Sequence, residues 1–306
     1  MRFSLTDEAV FNHRLDGCNS YTLDLSIGCD HNCVYCHFSL YQKTLYKRMN
    51  KTYRGQTIPL KIQRILDTPK DELPKRVYFS FSTDPFAPKI KELSHIVLDH
   101  LLKNGVEVLI VTKGIIPDAT INLLADYGSQ VSVEVGLVSL NAKRNLAIEP
   151  GTPSIERRLE LLEKLCHSPV AFTSLKMDPI FPIIDDQKET IQILFEKVST
   201  TGVKNIAASY VIASDRMKEE MSDVTILRDS LNFLSEKTDS VATKPVYSVP
   251  LQYKLEKFQL FREVGNSYGY AIHTCHCKDA RLKKLDSSYT CHPGSNDQFI
   301  KSQYAK

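Results

Sequence analysis

Between Asn19 and Ile212 the chain alternates short β-branched or aromatic runs with longer amphipathic stretches, and that alternation admits few folds. Strands are expected at 21–26, 76–82, 107–112, 130–138, 171–177 and 205–212, with helices between them at 59–66, 91–103, 118–127, 154–166 and 188–199. Asn104-Gly105 suits a helix C-terminus, and Asp118 and Ser154 suit N-caps. Strands joined through helices lie parallel, and six such units are too few to close an eight-stranded barrel. The expected fold is therefore α/β, a partial (β/α)6 barrel open on one side, with ligands gathering at the C-terminal ends of the strands. The organisation that follows is an N-terminal segment 1–18, the barrel over 19–212, and a C-terminal α+β extension over 213–306 that folds over the barrel as a lid. No short repeat or low-complexity linker interrupts this plan.

Composition narrows the class. A net charge of +3 is too small to announce a nucleic-acid binder by bulk charge, and eight cysteines in 306 residues are too few for a disulfide scaffold. Six of the eight fall into two groups, Cys29, Cys33 and Cys36 near the start and Cys275, Cys277 and Cys291 near the end; Cys18 and Cys166 stand apart. The first ten residues carry no basic stretch leading into an apolar run, and no window approaches 18 consecutive apolar residues. A cytoplasmic location is expected, where thiols stay reduced and clustered cysteines read as metal ligands.

The segment Ile27-Gly28-Cys29-Asp30-His31-Asn32-Cys33-Val34-Tyr35-Cys36-His37 follows the first strand directly. Zinc motifs usually come as two pairs, and no fourth ligand stands nearby in the usual spacing. Three cysteines can hold a cubane of four irons while leaving one iron open to a cofactor. His31 and His37 read as bystanders to that loop. Cys29-x3-Cys33-x2-Cys36, with Tyr35 before the last cysteine and the loop after the first strand, resembles the radical S-adenosylmethionine (SAM) superfamily. The resemblance implies a barrel of the radical SAM type and a 4Fe-4S cluster whose open iron chelates S-adenosyl-L-methionine. It also implies reductive cleavage of that cofactor, and a 5′-deoxyadenosyl radical that abstracts hydrogen from a substrate.

At the end of the second strand stands Ser80-Phe81-Ser82-Thr83-Asp84-Pro85-Phe86-Ala87-Pro88, where most of the superfamily carries a Gly-Gly-Glu type sequence. This form is similar to the spore photoproduct lyase-like branch. So are Leu109-Ile110-Val111-Thr112-Lys113-Gly114 and Ile148-Glu149-Pro150-Gly151-Thr152-Pro153-Ser154, followed by Arg157-Arg158-Leu159. By that analogy Ser82, Thr83 and Asp84 lie near the methionine moiety, and Lys113 with Ser132 or Glu134 approaches its carboxylate or ribose. Ser139 and Asn141 are placed toward the ribose, and Asp178-Pro179-Ile180-Phe181-Pro182 is either a loop against adenine or a tight turn. Cys166, at the end of a predicted helix, does not match the hydrogen-donating cysteine of spore photoproduct lyase, so repair of thymine dimers is not carried over.

The second group, Cys275 and Cys277 followed by thirteen residues and then Cys291, lies on a segment of modest apolar content that a metal would help to organise. It resembles in outline the auxiliary-cluster arrangement of molybdenum cofactor enzymes, although the first gap is one residue rather than two. A second 4Fe-4S cluster and a zinc site completed by His273, His276 or His292 are both open readings, and Lys278 and Arg281 bring positive charge. The leading function is a radical SAM enzyme, a lyase or another radical class, acting on an organic substrate that includes a nucleobase or nucleic acid. It would be reduced by a protein such as flavodoxin or ferredoxin. The other classes are a nucleic-acid binding or repair module, suggested by the basic stretch 43–54 with Tyr46 and Tyr53, and a zinc-organised interaction protein with a non-catalytic barrel.

Overall fold

The computed structural model describes residues 12–14, 20–36, 56–240, 245–274 and 278–284. Cys18, the basic stretch 43–54, Cys275, Cys277 and Cys291 lie outside the described residues. The strands in chain order are β1 (Asn12–Arg14), β2 (Tyr21–Leu23), β3 (Ser26–Ile27), β4 (Gln56–Thr57), β5 (Arg76–Phe79), β6 (Glu107–Thr112), β7 (Val131–Gly136), β8 (Phe172–Ile180), β9 (Asn205–Tyr210), β10 (Glu236–Thr238), β11 (Val246–Ser248) and β12 (Ala271–Thr274). One sheet runs β1-β2-β5-β6-β7-β8-β9-β12, so spatial order follows chain order. From β2 to β12 every neighbour is parallel, while β1 joins as an antiparallel edge. The two ends of the sheet do not pair with each other, and the barrel stays open.

The helices Pro59–Asp67, Lys91–Lys103, Asp118–Asp126, Ile155–Cys166 and Lys188–Ser199 stand where the amphipathic stretches predict them. Asn104 closes the helix Lys91–Lys103, and Gly105 follows it at φ +83°, a region costly for any residue with a Cβ. Ser154 caps its helix by accepting from the Arg157 amide. Asp118 is instead the first helical residue, because the Pro117 carbonyl accepts from Thr120 and Ile121, and the Asp118 carboxylate pairs with Lys164 at 2.6 Å. One helix, Ala142–Ile148, has no counterpart in the sequence pattern. Its start is set by Asn141, whose side chain accepts from the Arg144 amide at 3.0 Å.

Strand alternation decides what the barrel holds. On β7, Val131, Val133 and Val135 share the face packed against helices, while Ser132, Glu134 and Gly136 share the other. The register carries this across the sheet: Val133 lies beside Ile110 and Glu134 beside Ser174. The outer layer is apolar, with Val97, Leu98, Leu101 and Leu102 of one helix and Leu159, Leu162 and Leu165 of another buried on it. Each such side chain contributes about 1.5–3 kcal/mol, far more than a cap, so burial fixes the helices and capping only trims them.

The sheet continues past Ile212, where the barrel was expected to end. β12, from the extension, pairs parallel with β9 and places Ile272 beside Ile206. An apolar edge at β9 would otherwise stand unpaired, which favours recruiting a further strand. The helix Leu251–Ser267 leads into it and packs Phe261 against Phe195, ring centroids 6.3 Å apart. Among the described residues no helix is long and apolar enough to cross a membrane.

Beyond β12 the chain is pinned by Asp279, which is 1% exposed. Its carboxylate accepts from Thr238 Oγ1 at 2.8 Å and from Arg281, and it pairs with Lys254 of the helix Leu251–Ser267. Burial pulls Lys254 down to about 8 although Asp279 and Ser248 support its charge. Asp279→Ala leaves that ammonium buried without its counter-charge. The expected result is a loss of about 3 kcal/mol in denaturant-induced unfolding, and a loss under about 0.5 kcal/mol would contradict the pinning role.

Candidate cofactor site

The three clustered cysteines leave the sheet on one loop. After β3 the chain turns at Gly28, φ +70°, and Ser26 Oγ donates to the Gly28 carbonyl at 3.0 Å. The Cys36 amide closes a turn onto the Cys33 carbonyl at 3.1 Å. The segment after the helix Ala142–Ile148 holds this loop from outside: the Val34 amide donates to Ile148 O at 3.0 Å and the Gly151 amide to His31 O at 2.9 Å. The approach is so close that a Cβ on Gly151 would stand 2.3 Å from the Asp30 carbonyl oxygen. A backbone contact of that kind admits only glycine.

Cys29, Cys33 and Cys36 are all unbridged and partly exposed. Burial pushes the Cys33 thiol up to about 12, against the opposing pull of the Lys113 charge, and pushes Cys29 higher still with help from Asp84. Such thiols keep their protons until a metal displaces them. Among the described residues no three His, Cys, Asp or Glu side chains converge on one ion. Zinc needs its thiolates about 2.3 Å from a single centre, whereas cysteines that each bind a different iron of a cluster need no such convergence. The donor set therefore fits an iron-sulfur cluster.

Two buried carboxylate hubs hold the surrounding loops. Glu149, 2% exposed, accepts from the Tyr35 hydroxyl at 2.5 Å and from Arg158 Nη1 at 3.1 Å, with Lys113 Nζ 4.0 Å away. Burial disfavours its charge, but Lys113 and Arg158 outweigh it and hold the carboxyl below the usual range. Lys113 in turn sits 5.5 Å over the Tyr35 ring and passes along Gly136, where a Cβ would meet its Cγ at 2.7 Å. Burial works against the Lys113 charge as well, yet Glu149 and its other acidic neighbours keep its pKa above normal, so it remains a cation at the rim.

The second hub is Asp84. Its Oδ1 accepts from Thr112 Oγ1 at 2.6 Å and the Phe86 amide at 2.9 Å; its Oδ2 accepts from the amides of Lys113 at 2.6 Å and Gly114 at 3.2 Å. His31 Nδ1 lies 3.3 Å from the same Oδ2. Asp24, at the end of β2, matches it by accepting from Ser80 Oγ and from the amides of Ser82 and Thr83. Asp24 Oδ1 and Ser80 Oγ also engage the Thr83 hydroxyl. Of the three residues expected at the methionine moiety, the Thr83 and Asp84 side chains are thus bonded to the protein, and Ser82, held by its amide, stays partly exposed beside them.

The other expected contacts divide. Lys113 stands beside the cysteine loop, over the Tyr35 ring. Ser139 Oγ accepts from the Asn141 amide at 3.1 Å, starting the turn into the helix Ala142–Ile148. Glu134 lies mid-strand with its carboxylate 2.6 Å from Lys176 Nζ. Ser132 sits at the opposite, N-terminal end of the strands, in a small cleft with Arg76, Glu107 and Gln130. Asp178-Pro179-Ile180 forms the end of β8, where Asp178 pairs with Lys278, and the turn begins only at Phe181-Pro182, closed by the Asp185 amide on the Phe181 carbonyl at 3.0 Å. His31, read as a bystander to the cysteines rather than a ligand, is 3% exposed and joined to Asp84. Asp24 carried no local signal, since its partners lie 56–59 residues away, whereas Glu149 and Arg158 stood within a segment already singled out.

Comparison with known proteins agrees with this geometry. A family model described as the radical SAM superfamily matches residues 23–193. An uncharacterized protein of Acidianus two-tailed virus, ORF301, is 28% identical over 203 residues, which cover 61% of this chain and 66% of that protein, just under two thirds of its length. Among solved structures, a mutant spore photoproduct lyase with bound AdoMet and dinucleoside spore photoproduct shares the fold at TM-score 0.63 and 16% identity, over 86% of this chain and 78% of that one. Another mutant of that enzyme gives TM-score 0.62 at 14% identity with the same coverage.

Two outcomes follow from the hubs. Gly151→Ala forces the two loops apart and should cost roughly 2 kcal/mol; the variant is expected to take up less iron than wild type on reconstitution, and equal iron uptake would contradict the role of that contact. Asp84 is held down to about 2, its burial outweighed by His31, Thr112 and the Lys113 amide, against an ordinary 3.8. A carboxylate depressed by folding stabilises above pH 3.8 and loses that contribution as pH falls through 2, here about 2 kcal/mol. The stability gap between wild type and Asp84→Asn apoprotein should narrow from pH 4 to pH 2 in urea titrations; a constant gap would refute the assignment.

Proposed function

From the premise that the chain belongs to the radical SAM superfamily, we propose that it is an enzyme of the spore photoproduct lyase-like kind acting on an organic substrate, a nucleobase or nucleic acid. The observation that carries this reading is the loop of three unbridged, partly exposed cysteines opening at the C-terminal ends of the strands. Cys29, Cys33 and Cys36 are the ligands for a 4Fe-4S cluster. Such a cluster would supply an open iron to hold S-adenosylmethionine and would pass on the electron for its reductive cleavage, and the 5′-deoxyadenosyl fragment set free would take hydrogen from the substrate. The substrate class is supported by the dinucleoside named in the solved structures that share the fold.

Each neighbouring residue then has a physical task. Lys113, a cation kept at the rim by Glu149, offers positive charge to a carboxylate. Ser82 offers a hydroxyl, and Thr83 and Asp84 hold it there through the strand-end loop. Ser139 shapes the turn after β7, and Glu134 accepts from Lys176 Nζ on the barrel's inner face. Ser132 has no part in this arrangement. The Tyr35 ring, anchored through its hydroxyl to Glu149, walls the pocket beside Phe181, ring centroids 6.0 Å apart. An external reductant of the flavodoxin or ferredoxin type delivers the electron.

A second metal centre at Cys275, Cys277 and Cys291 belongs to the same proposal. It is supported by the chain on either side of the first pair: Thr274 ends β12 at the cofactor edge of the sheet, and Lys278 pairs with Asp178 at the end of β8. Anaerobically reconstituted, reduced protein is expected to convert S-adenosylmethionine to 5′-deoxyadenosine, and Cys33→Ala to abolish it. Protein that holds zinc but no iron, or that leaves S-adenosylmethionine intact, would overturn the proposal. In Cys275→Ala, a fall in iron marks a second cluster, while unchanged iron with lost zinc marks a zinc site.

A further inference from the structure

His31 lies between the first two cluster cysteines and is gripped at every group except one. Its amide faces Cys29 Sγ at 3.5 Å, its carbonyl accepts from the Gly151 amide, and its Nδ1 meets Asp84 Oδ2. Among the described residues only Nε2 is left, buried and without a partner. A carboxylate can only accept, so Nδ1 directs its proton to Asp84, and in the tautomer with its single proton there the lone pair lies on Nε2. A buried acceptor left without a donor costs about 1–3 kcal/mol. The donors at this corner are already committed: the Thr112 hydroxyl and the amides of Phe86, Lys113 and Gly114 go to Asp84, and those of Ser82 and Thr83 to Asp24. Among the described residues that leaves the N–H or O–H for this atom to a bound group.

Resting on the function proposed above, we propose that His31 Nε2 accepts a hydrogen bond from the methionine amino group of S-adenosylmethionine, with Asp84 as the positioning residue that orients the ring. The Asp84 carboxylate does not make this contact itself, because five donors already fill it. The pair divides the work: Asp84 fixes the loop and the tautomer, and His31 presents the acceptor. Aspartate within the strand-end motif thus acts on the cofactor through the cysteine loop, which joins the two segments that meet it.

The test compares S-adenosylmethionine with its des-amino analogue, in which hydrogen replaces the amino group, on cluster-loaded wild type, His31→Leu and His31→Gln. Binding is read by calorimetry, and the cluster by iron content and its spin-resonance spectrum without cofactor. His31→Leu is expected to lose about tenfold in affinity for S-adenosylmethionine, to bind the analogue as wild type does, and to keep an unchanged cofactor-free spectrum. His31→Gln, which retains an acceptor, should recover most of the discrimination. Equal weakening of both ligands, unchanged affinity for S-adenosylmethionine, or His31→Gln no better than His31→Leu overturns this assignment alone. So does a cofactor-free spectrum altered in both variants, which would give Nε2 a cluster sulfur as its partner. Wild-type protein that takes up no cluster overturns both this assignment and the function it rests on.

Discussion

A carboxylate buried beside the cysteine loop is the constraint on which the site depends. Glu149 is 2% exposed, and a bare charge there would cost several kcal/mol. It stays ionised because Arg158, Lys113 and the Tyr35 hydroxyl surround it. Each of those partners comes from a different element: a helix on the outer layer, the end of β6, and the cysteine loop. The ion cluster therefore ties three separate strand-end segments at one point. Removing Glu149 would leave Arg158 and Lys113 without their shared counter-charge and the Tyr35 hydroxyl without its acceptor, so the loop and its supports depend on this one carboxylate.

The open barrel explains why such hubs are needed. A closed barrel braces its rim by strand pairing all the way round, but here the sheet ends at β1 and β12 without joining. The loops at the C-terminal edge must be braced by side chains instead. Asp24 and Asp84 lock the strand-end loop 80–86, Glu149 locks the cysteine loop, and Asp186 accepts from the hydroxyls of Tyr210 and Tyr253 after β8. All four lie at or beyond the C-terminal ends of strands, where a polar face can be satisfied by amides and hydroxyls of the loops themselves. The outer face needs none of this, because apolar helices cover it.

Much of the fold was legible because its signals are local. A helix such as Lys91–Lys103 shows its apolar face within its own residues and its stop at Asn104-Gly105. The parallel strands read as short apolar runs between such helices. What was not legible depends on partners distant in sequence. The strand Ala271–Thr274 is only four residues long and becomes a strand because the edge of β9 is there to receive it. The helix Ala142–Ile148 carries Arg144, which is buried only because Asp185, 41 residues later, pairs with it at 2.5 Å. No window of sequence contains both halves of such a pair.

The site divides along the same line. Cysteine spacing is local, so the placing of Cys29, Cys33 and Cys36 on one loop after the first strands was readable, whereas the pairing of Lys113 with Glu149, 36 residues later, was not. The analogy placed Asp84 against the cofactor because a carboxylate at a strand end is a natural ligand for an amino group. In this chain that carboxylate lies 8% exposed behind five donors from its own loops, while Nε2 of the His31 ring that it holds has no partner among the described residues. A motif specifies which residue types stand at a strand end, but the hydrogen-bond accounting of the folded loops decides which of them still has a free lone pair. Identical residues can therefore serve as ligand in one member of a fold and as scaffold in another, according to how many backbone amides the neighbouring turn directs at them.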